Sequence, residues 1–248
     1  MKKWTKITLF VALALVMVSA AAVAENTAGL TPGEHDKEKI DKALGKRPYS
    51  PYADRKYPSR PLFGDTHLHT GFSMDAGVWG CRLKPRDAYR FARGEQVMAS
   101  TGQPVKLARP LDFLVVADHS DNMGFATDLL AGKPALLADP KGREWHDLVL
   151  AGQGGKAALD MIGLFSQGKF PKKLLYAPGT RPYRDAWQET IDAAEEYNEP
   201  GRFTAFIGYE WTPLVKGANM HRNVIFRDNG DRATQVVPFT IMPPGSAN

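Results

Sequence analysis

Leu111-Asp112-Phe113-Leu114-Val115-Val116-Ala117, running directly into Asp118-His119-Ser120-Asp121, is the stretch from which the fold is read. A nearly continuous apolar run of this length predicts a strand buried on both faces, as in a parallel sheet covered by helices. Outward from it, beginning at Pro61, short apolar runs alternate with helical segments, the pattern of an α/β domain. Upstream, Leu62 to about His67 reads as the first strand. Residues 85–93 read as a helix, with Pro85 suited to a first helical position and Gly94 near the end. Downstream, Arg181 to Tyr197 places Trp187, Ile191 and Ala194 on one helical face, and Asn198-Glu199-Pro200-Gly201 stops it. Phe203 to Tyr209 then reads as one strand entering Glu210, and His221 to Asp228 as another. The intervening residues, 122 to about 178, carry apolar clusters broken by glycine and proline and are expected to form a helical insertion.

The first residues have the layout of a secretory signal peptide: Lys2, Lys3 and Lys6, an apolar run from Ile7 to Val18, and a small-residue cleavage site at Ala22-Val23-Ala24. The apolar core is short for a bilayer span. No second long apolar run follows, so a soluble exported chain with no membrane association after cleavage is expected, periplasmic or secreted. The leader's three lysines carry much of the formal net charge of +5, leaving +2. No run of basic residues interleaved with aromatics remains, which argues against nucleic acid as a partner. Cys81 is the sole cysteine, so no internal disulfide is available and stability must come from the core or from bound metal. Residues 25–60, polar and proline-rich, read as an extended arm.

Chemistry concentrates where predicted strands end. His67 and His69 in Asp65-Thr66-His67-Leu68-His69-Thr70 are two apart, and side chains so spaced on a strand share a face. Asp118-His119 ends the central strand, and Glu210 ends a third. In barrel-like α/β enzymes the C-terminal strand ends converge, so residues distant in sequence meet there. A mixture of imidazoles and carboxylates favours Zn, Mn or Fe over Ca or Mg, and more than one ion over a closed structural site. Such ions lower the pKa of bound water and clamp the oxygens of an ester undergoing displacement. Arg82, Arg109 and Arg222 lie near these motifs and are candidates for neutralising an anionic substrate.

Asp65 to Thr70, with Ser73 and Asp75 following, resembles the first motif of the PHP (polymerase and histidinol phosphatase) superfamily of metal-dependent phosphoesterases. Asp118-His119 is similar to its second motif. Gly208-Tyr209-Glu210 with His221 is similar to its third. Residues 61 to about 228 resemble more closely the exported bacterial proteins grouped as domain-of-unknown-function family 3604. The resemblance implies a distorted seven-stranded β/α barrel holding two or three ions (Zn, Mn or Fe) at the strand ends. It implies His67, His69, His119, Glu210 and His221 as ligands. Asp65 and Asp118 take the catalytic positions, as ligands or as groups that orient an imidazole.

The superfamily pattern also uses later histidines and a late Asp-x-His. No histidine follows His221, and the 188 residues from Pro61 to Asn248 are fewer than a closed β/α barrel usually needs. The expectation is therefore an incomplete barrel, the N-terminal portion of a longer metallohydrolase domain. The expected activity is hydrolysis of a small anionic ester, phosphate first, with metal-bound hydroxide as nucleophile. Sulfate-ester, amide or lactone hydrolysis on the same site is an alternative, as is a noncatalytic exported metal- or ligand-binding protein.

Overall fold

The computed structural model describes residues 60–215 and 218–241. The expected leader, and the expected arm up to residue 59, lie outside the described residues.

The chain runs β1 (Gly64–Leu68), α1 (Met74–Val78), α2 (Pro85–Ala92), a small hairpin of β2 (Val97–Met98) and β3 (Pro104–Val105), and then β4 (Phe113–Val116). Four helices follow: α3 (Phe125–Leu130), α4 (Pro134–Leu137), α5 (Pro140–Leu150) and α6 (Gly154–Ser166). The long helix α7 (Arg181–Tyr197) leads to β5 (Thr204–Phe206), β6 (Gly208–Trp211), β7 (Leu214–Val215), β8 (Ala218–Asn219), β9 (Arg222–Ile225) and α8 (Gly230–Ala233).

The α/β class holds. β1, β4 and β5 form a parallel sheet in the order β1-β4-β5, with β4 in the centre. Leu114, Val115, Val116 and Ala117 are wholly buried, as a run apolar on both faces requires. The described residues do not close a barrel: beside this sheet stand three separate antiparallel pairs, β2-β3, β6-β9 and β7-β8. A single link returns toward closure, from Asn223 Nδ2 on β9 to the Thr66 carbonyl on β1 (2.7 Å).

Helices cover the sheet as the periodicity demands. Pro85 occupies the first turn of α2, where its missing N–H costs nothing, and the Lys84 N–H donates to the Asp87 carboxylate (3.1 Å). Tyr89, fully buried, stacks near Tyr197 of α7 and donates its hydroxyl to the Phe206 carbonyl (2.9 Å), tying both helices to β5. Residues 122–178 hold four α-helices, and their aromatic side chains join the same core as the sheet. Phe125 meets Trp145, Phe170 and Tyr176 edge-on, at centroid distances of 6.3, 6.1 and 5.7 Å.

One expected strand is two. Residues 203–209 break at Ile207: β5 pairs with β4 in parallel, whereas β6 pairs with β9 antiparallel. The Ile207 carbonyl turns to accept the Phe226 N–H (2.9 Å). Gly208 makes the break possible, because a Cβ there would lie 2.5 Å from Val115 Cγ1 and 3.0 Å from the Val224 carbonyl oxygen. Beyond it, β6 runs beside the extension of β4, with His119 and Glu210 paired as a parallel bridge. Gly208→Ala is expected to lower stability by about 1–3 kcal/mol through this clash, read as a lower urea midpoint at unchanged slope.

Candidate metal centre

Three irregularities at the strand ends bring the site together. The register between β1 and β4 shifts between Asp65 and Leu68, a bulge that re-aims the residues around His67. After β4, Asn122 takes a left-handed conformation (φ 58°), which asparagine tolerates, and its Oδ1 accepts the Tyr176 N–H (2.7 Å). This turn lies three residues beyond His119 and leads the chain into α3. The third irregularity is the break at Ile207, which lets β6 continue alongside Asp118–Ser120: Glu210 N–H donates to the Asp118 carbonyl, and Ser120 N–H to the Glu210 carbonyl, each at 2.9 Å.

Glu210 is the hub. Its side chain has no exposure, and four imidazoles surround it. Its Oε2 lies 3.0 Å from His67 Nε2, 2.8 Å from His69 Nε2 and 3.5 Å from His119 Nδ1, while Oε1 contacts His221 Nδ1. Successive ring centroids from His67 through His69 and His119 to His221 are 5.0, 4.9 and 5.4 Å apart. On the far side of His69 and His119 stands Asp75: its Oδ1 is 3.1 Å from His69 Nδ1 and its Oδ2 3.5 Å from His119 Nε2. Ser73 Oγ donates to Asp75 Oδ1 (2.6 Å) and accepts the His119 N–H (3.2 Å).

The charges of these groups are set by one another. Burial opposes ionisation of Glu210, but the bond from His67 and the nearby His119, His221 and His69 outweigh it and hold the carboxyl below its usual range. Burial likewise opposes charge on Asp75, and hydrogen bonds from His119, His69 and Ser73 prevail, holding it well below the carboxylate range. Burial depresses His69, yet Asp75 raises it on balance.

These residues fit divalent ions. Ligand atoms fall into three overlapping groups, His67/His69/Glu210, His69/Asp75/His119 and His119/Glu210/His221, with the atoms of each within 4.8 Å of one another. That span is close to the roughly 4 Å separating ligands that share an ion about 2.0–2.2 Å away. Buried His69 Nε2 has no hydrogen-bond partner although Glu210 Oε2 is only 2.8 Å off, the mark of two donors aimed at a common point rather than at each other. A neutral imidazole gives one nitrogen to one ion. The set therefore accommodates one ion on His67, His69 and Glu210 and a second on His119, His221 and Glu210, with Asp75 steadying the far nitrogens of His69 and His119.

The other expected residues lie elsewhere. Asp118 is buried, and both its oxygens are taken by Thr70: Oδ1 by the N–H (2.5 Å) and Oδ2 by the hydroxyl (2.7 Å). Burial pushes its carboxyl up to about 6, against the pull of Thr70. It braces the His69-Thr70 turn from behind and stands outside the three ligand groups. Asp65 Oδ1 accepts the His67 N–H (2.8 Å) and is also outside them. Arg109 lies over the Phe63 ring and Arg222 over Trp211, while Arg82 bonds to the Gly77 carbonyl. Sequence reasoning did not find Thr212, whose hydroxyl is 3.1 Å from His119 Nδ1 and 3.4 Å from His221 Nδ1. Its one signal is a place two residues after Glu210, just past the end of β6.

The family described as "Protein of unknown function (DUF3604)" matches residues 56–247, and the chain belongs to it. No curated protein and no solved structure matches.

Elemental analysis is expected to find two equivalents of Zn, Mn or Fe per chain, and Glu210→Gln to lose both. Asp75→Asn is expected to retain them with affinity lowered about 10- to 100-fold. Equal loss in both variants would instead make Asp75 a ligand. Chelation is expected to lower the melting temperature of the wild type and leave that of Glu210→Gln unchanged.

Proposed function

We propose that this member of the DUF3604 family is an exported metal-dependent hydrolase of small phosphate esters, related to the PHP superfamily in its strand-end metal cluster. The observation that carries this reading is the ring of four imidazoles around buried Glu210, contributed by three separate strand ends. The return link from Asn223 to Thr66 supports a strand order that curls toward a barrel. The leader-like N-terminal sequence supports export.

A structural metal site is closed, with its ligands packed away from water. Here the side chains of His67 and His221 are 47% and 48% exposed, although Glu210 beneath them is fully buried. The ring is thus firm at its base and open at its rim, which suits exchange of water and substrate. When bound, divalent ions supply Lewis-acid polarisation of an ester oxygen and a water of lowered pKa. The chain's own residues do the rest. Glu210 and the four histidines set the positions of positive charge. Asp75 and Ser73 lock the His69 and His119 rings, so that little reorganisation is needed as charge develops. The Thr212 hydroxyl, buried beside both His119 and His221, helps to orient their rings.

The metal-loaded protein is expected to hydrolyse a phosphate ester faster than the matched sulfate ester in side-by-side assays. The double variant His67→Ala/His69→Ala is expected to lose about 100-fold or more in kcat/KM. Stoichiometric metal with no turnover across a broad ester panel would sink the hydrolase reading.

A further inference from the structure

Beside the metal centre opens a cavity of about 460 Å3, a volume suited to a small organic molecule. One wall is the site itself, through Asp75, His119 and His221. Much of the remaining lining is apolar: Met74 and Trp79 at the two ends of α1, and Ile162 and Phe165 on α6. We propose that this cavity is the recognition pocket for an uncharged, apolar substituent of the substrate whose anionic group lies on the metal centre. The inference rests on the hydrolase reading for the word substrate, and on the cavity for the rest.

The apolar wall is built into the fold. α6 reaches α1 because Gly154 has no side chain: a Cβ there would stand 2.1 Å from the Val78 carbonyl oxygen. Gly155 next to it lies under the Trp79 indole, where a Cβ would sit 3.6 Å from Nε1. This close seating brings Ile162 and Phe165, two and three turns further along α6, into the same cavity lining as His119 and His221. Trp79 and Ile162 nevertheless remain 61% and 49% exposed, a cost in water that a bound apolar group would relieve.

Charge selects further. The lining contains no lysine or arginine, and the Asp121 carboxylate is part of it. Asp121 is held in place by the Thr240 hydroxyl and the Ile241 N–H. A second anionic group on the substrate would face Asp121 and Asp75 with no cation on the wall to meet it. Polyphosphates and dicarboxylates are therefore disfavoured, whereas a flat aromatic or branched aliphatic group fits against Trp79 and Phe165.

The test is calorimetric titration of the metal-loaded full chain with three non-hydrolysable probes: phenylphosphonate, methylphosphonate and phosphonoacetate. Phenylphosphonate is expected to bind about tenfold or more tightly than methylphosphonate, and phosphonoacetate the most weakly. Ile162→Asn is expected to erase the phenyl preference while leaving metal content and methylphosphonate affinity unchanged. Trp79→Ala, on a different helix, is a second variant expected to reduce it. Equal affinities for phenyl- and methylphosphonate, or binding of none of the three, would overturn the proposal. A concentration-dependent dimer in sedimentation that Ile162→Asn dissociates would also overturn it, by assigning the apolar wall to a second copy of the chain. Turnover of phenyl phosphate and glycerol phosphate, measured alongside, separates the two ideas. Phenyl preference in binding without turnover keeps the pocket and removes the hydrolase; turnover of both esters at equal kcat/KM without binding preference does the reverse.

Discussion

A fully buried carboxylate encircled by imidazoles is the constraint on which the rest of this structure turns. Glu210 has no contact with water, so its charge must be met by groups the fold brings to it. No lysine or arginine ion pair does so among the described residues; four histidines do. Four neutral imidazoles could each give one N–H to a carboxylate that accepts up to about four hydrogen bonds, but the rings here are not all aimed to do so. The unsatisfied Nε2 of His69 is the visible result of that mismatch. A divalent ion resolves it, because it accepts the lone pairs and balances the carboxylate together. The cluster's shape thus argues for metal more strongly than its composition does.

Delivering those side chains requires the sheet to depart from regularity just where the strands end. A regular parallel sheet would send residues 65–68, 116–119 and 207–210 off in step, alternating between its faces. The bulge in β1 and the break at Ile207 each alter that alternation by a residue or so, and the left-handed Asn122 turns the chain away after His119. Asp118 and Thr70 are the brace between two of these departures: the carboxylate holds the turn that follows His69, and so fixes that ring relative to His119. Asp75 joins the same two histidines from the other side. Rigidity at the base of the site therefore comes from carboxylates outside the imidazole ring, even though their identity suggests ligands.

This explains which parts were legible in the sequence. The central strand announced itself by its apolar run, α2 and α7 by their period and terminal prolines, and the histidines by their positions at strand ends. Each of these signals is local. What stayed hidden depends on tertiary packing. Residues 203–209 look like one strand because nothing in their side chains reveals that Gly208 must slide past Val115. Asp118 looks like a ligand because its neighbour His119 belongs to the candidate ligand groups, and only the fold shows Thr70 occupying both its oxygens. Thr212 lies in a segment whose sequence reads as a loop, although its hydroxyl sits between two site histidines. The apolar cavity wall was equally silent, since Trp79 and Ile162 come from separate short helices.

The juxtaposition of that wall with the imidazole ring carries the functional argument one step further. An acid-lined metal site in open water would accept any phosphate or related anion, and the ions would dominate the binding energy whatever was attached. By placing α6 across the rim, the fold adds a surface whose contribution depends entirely on the attached group. Apolar contacts are weak individually but cannot be satisfied by water or by a polar substituent, whereas the carboxylates of Asp75 and Asp121 penalise added negative charge. On the proposed reading, attraction for the anionic group and selection of its substituent fall to different elements, the strand ends for the first and the helical insertion for the second. On that reading, variation in α6 would retune what is bound without disturbing the imidazole ring.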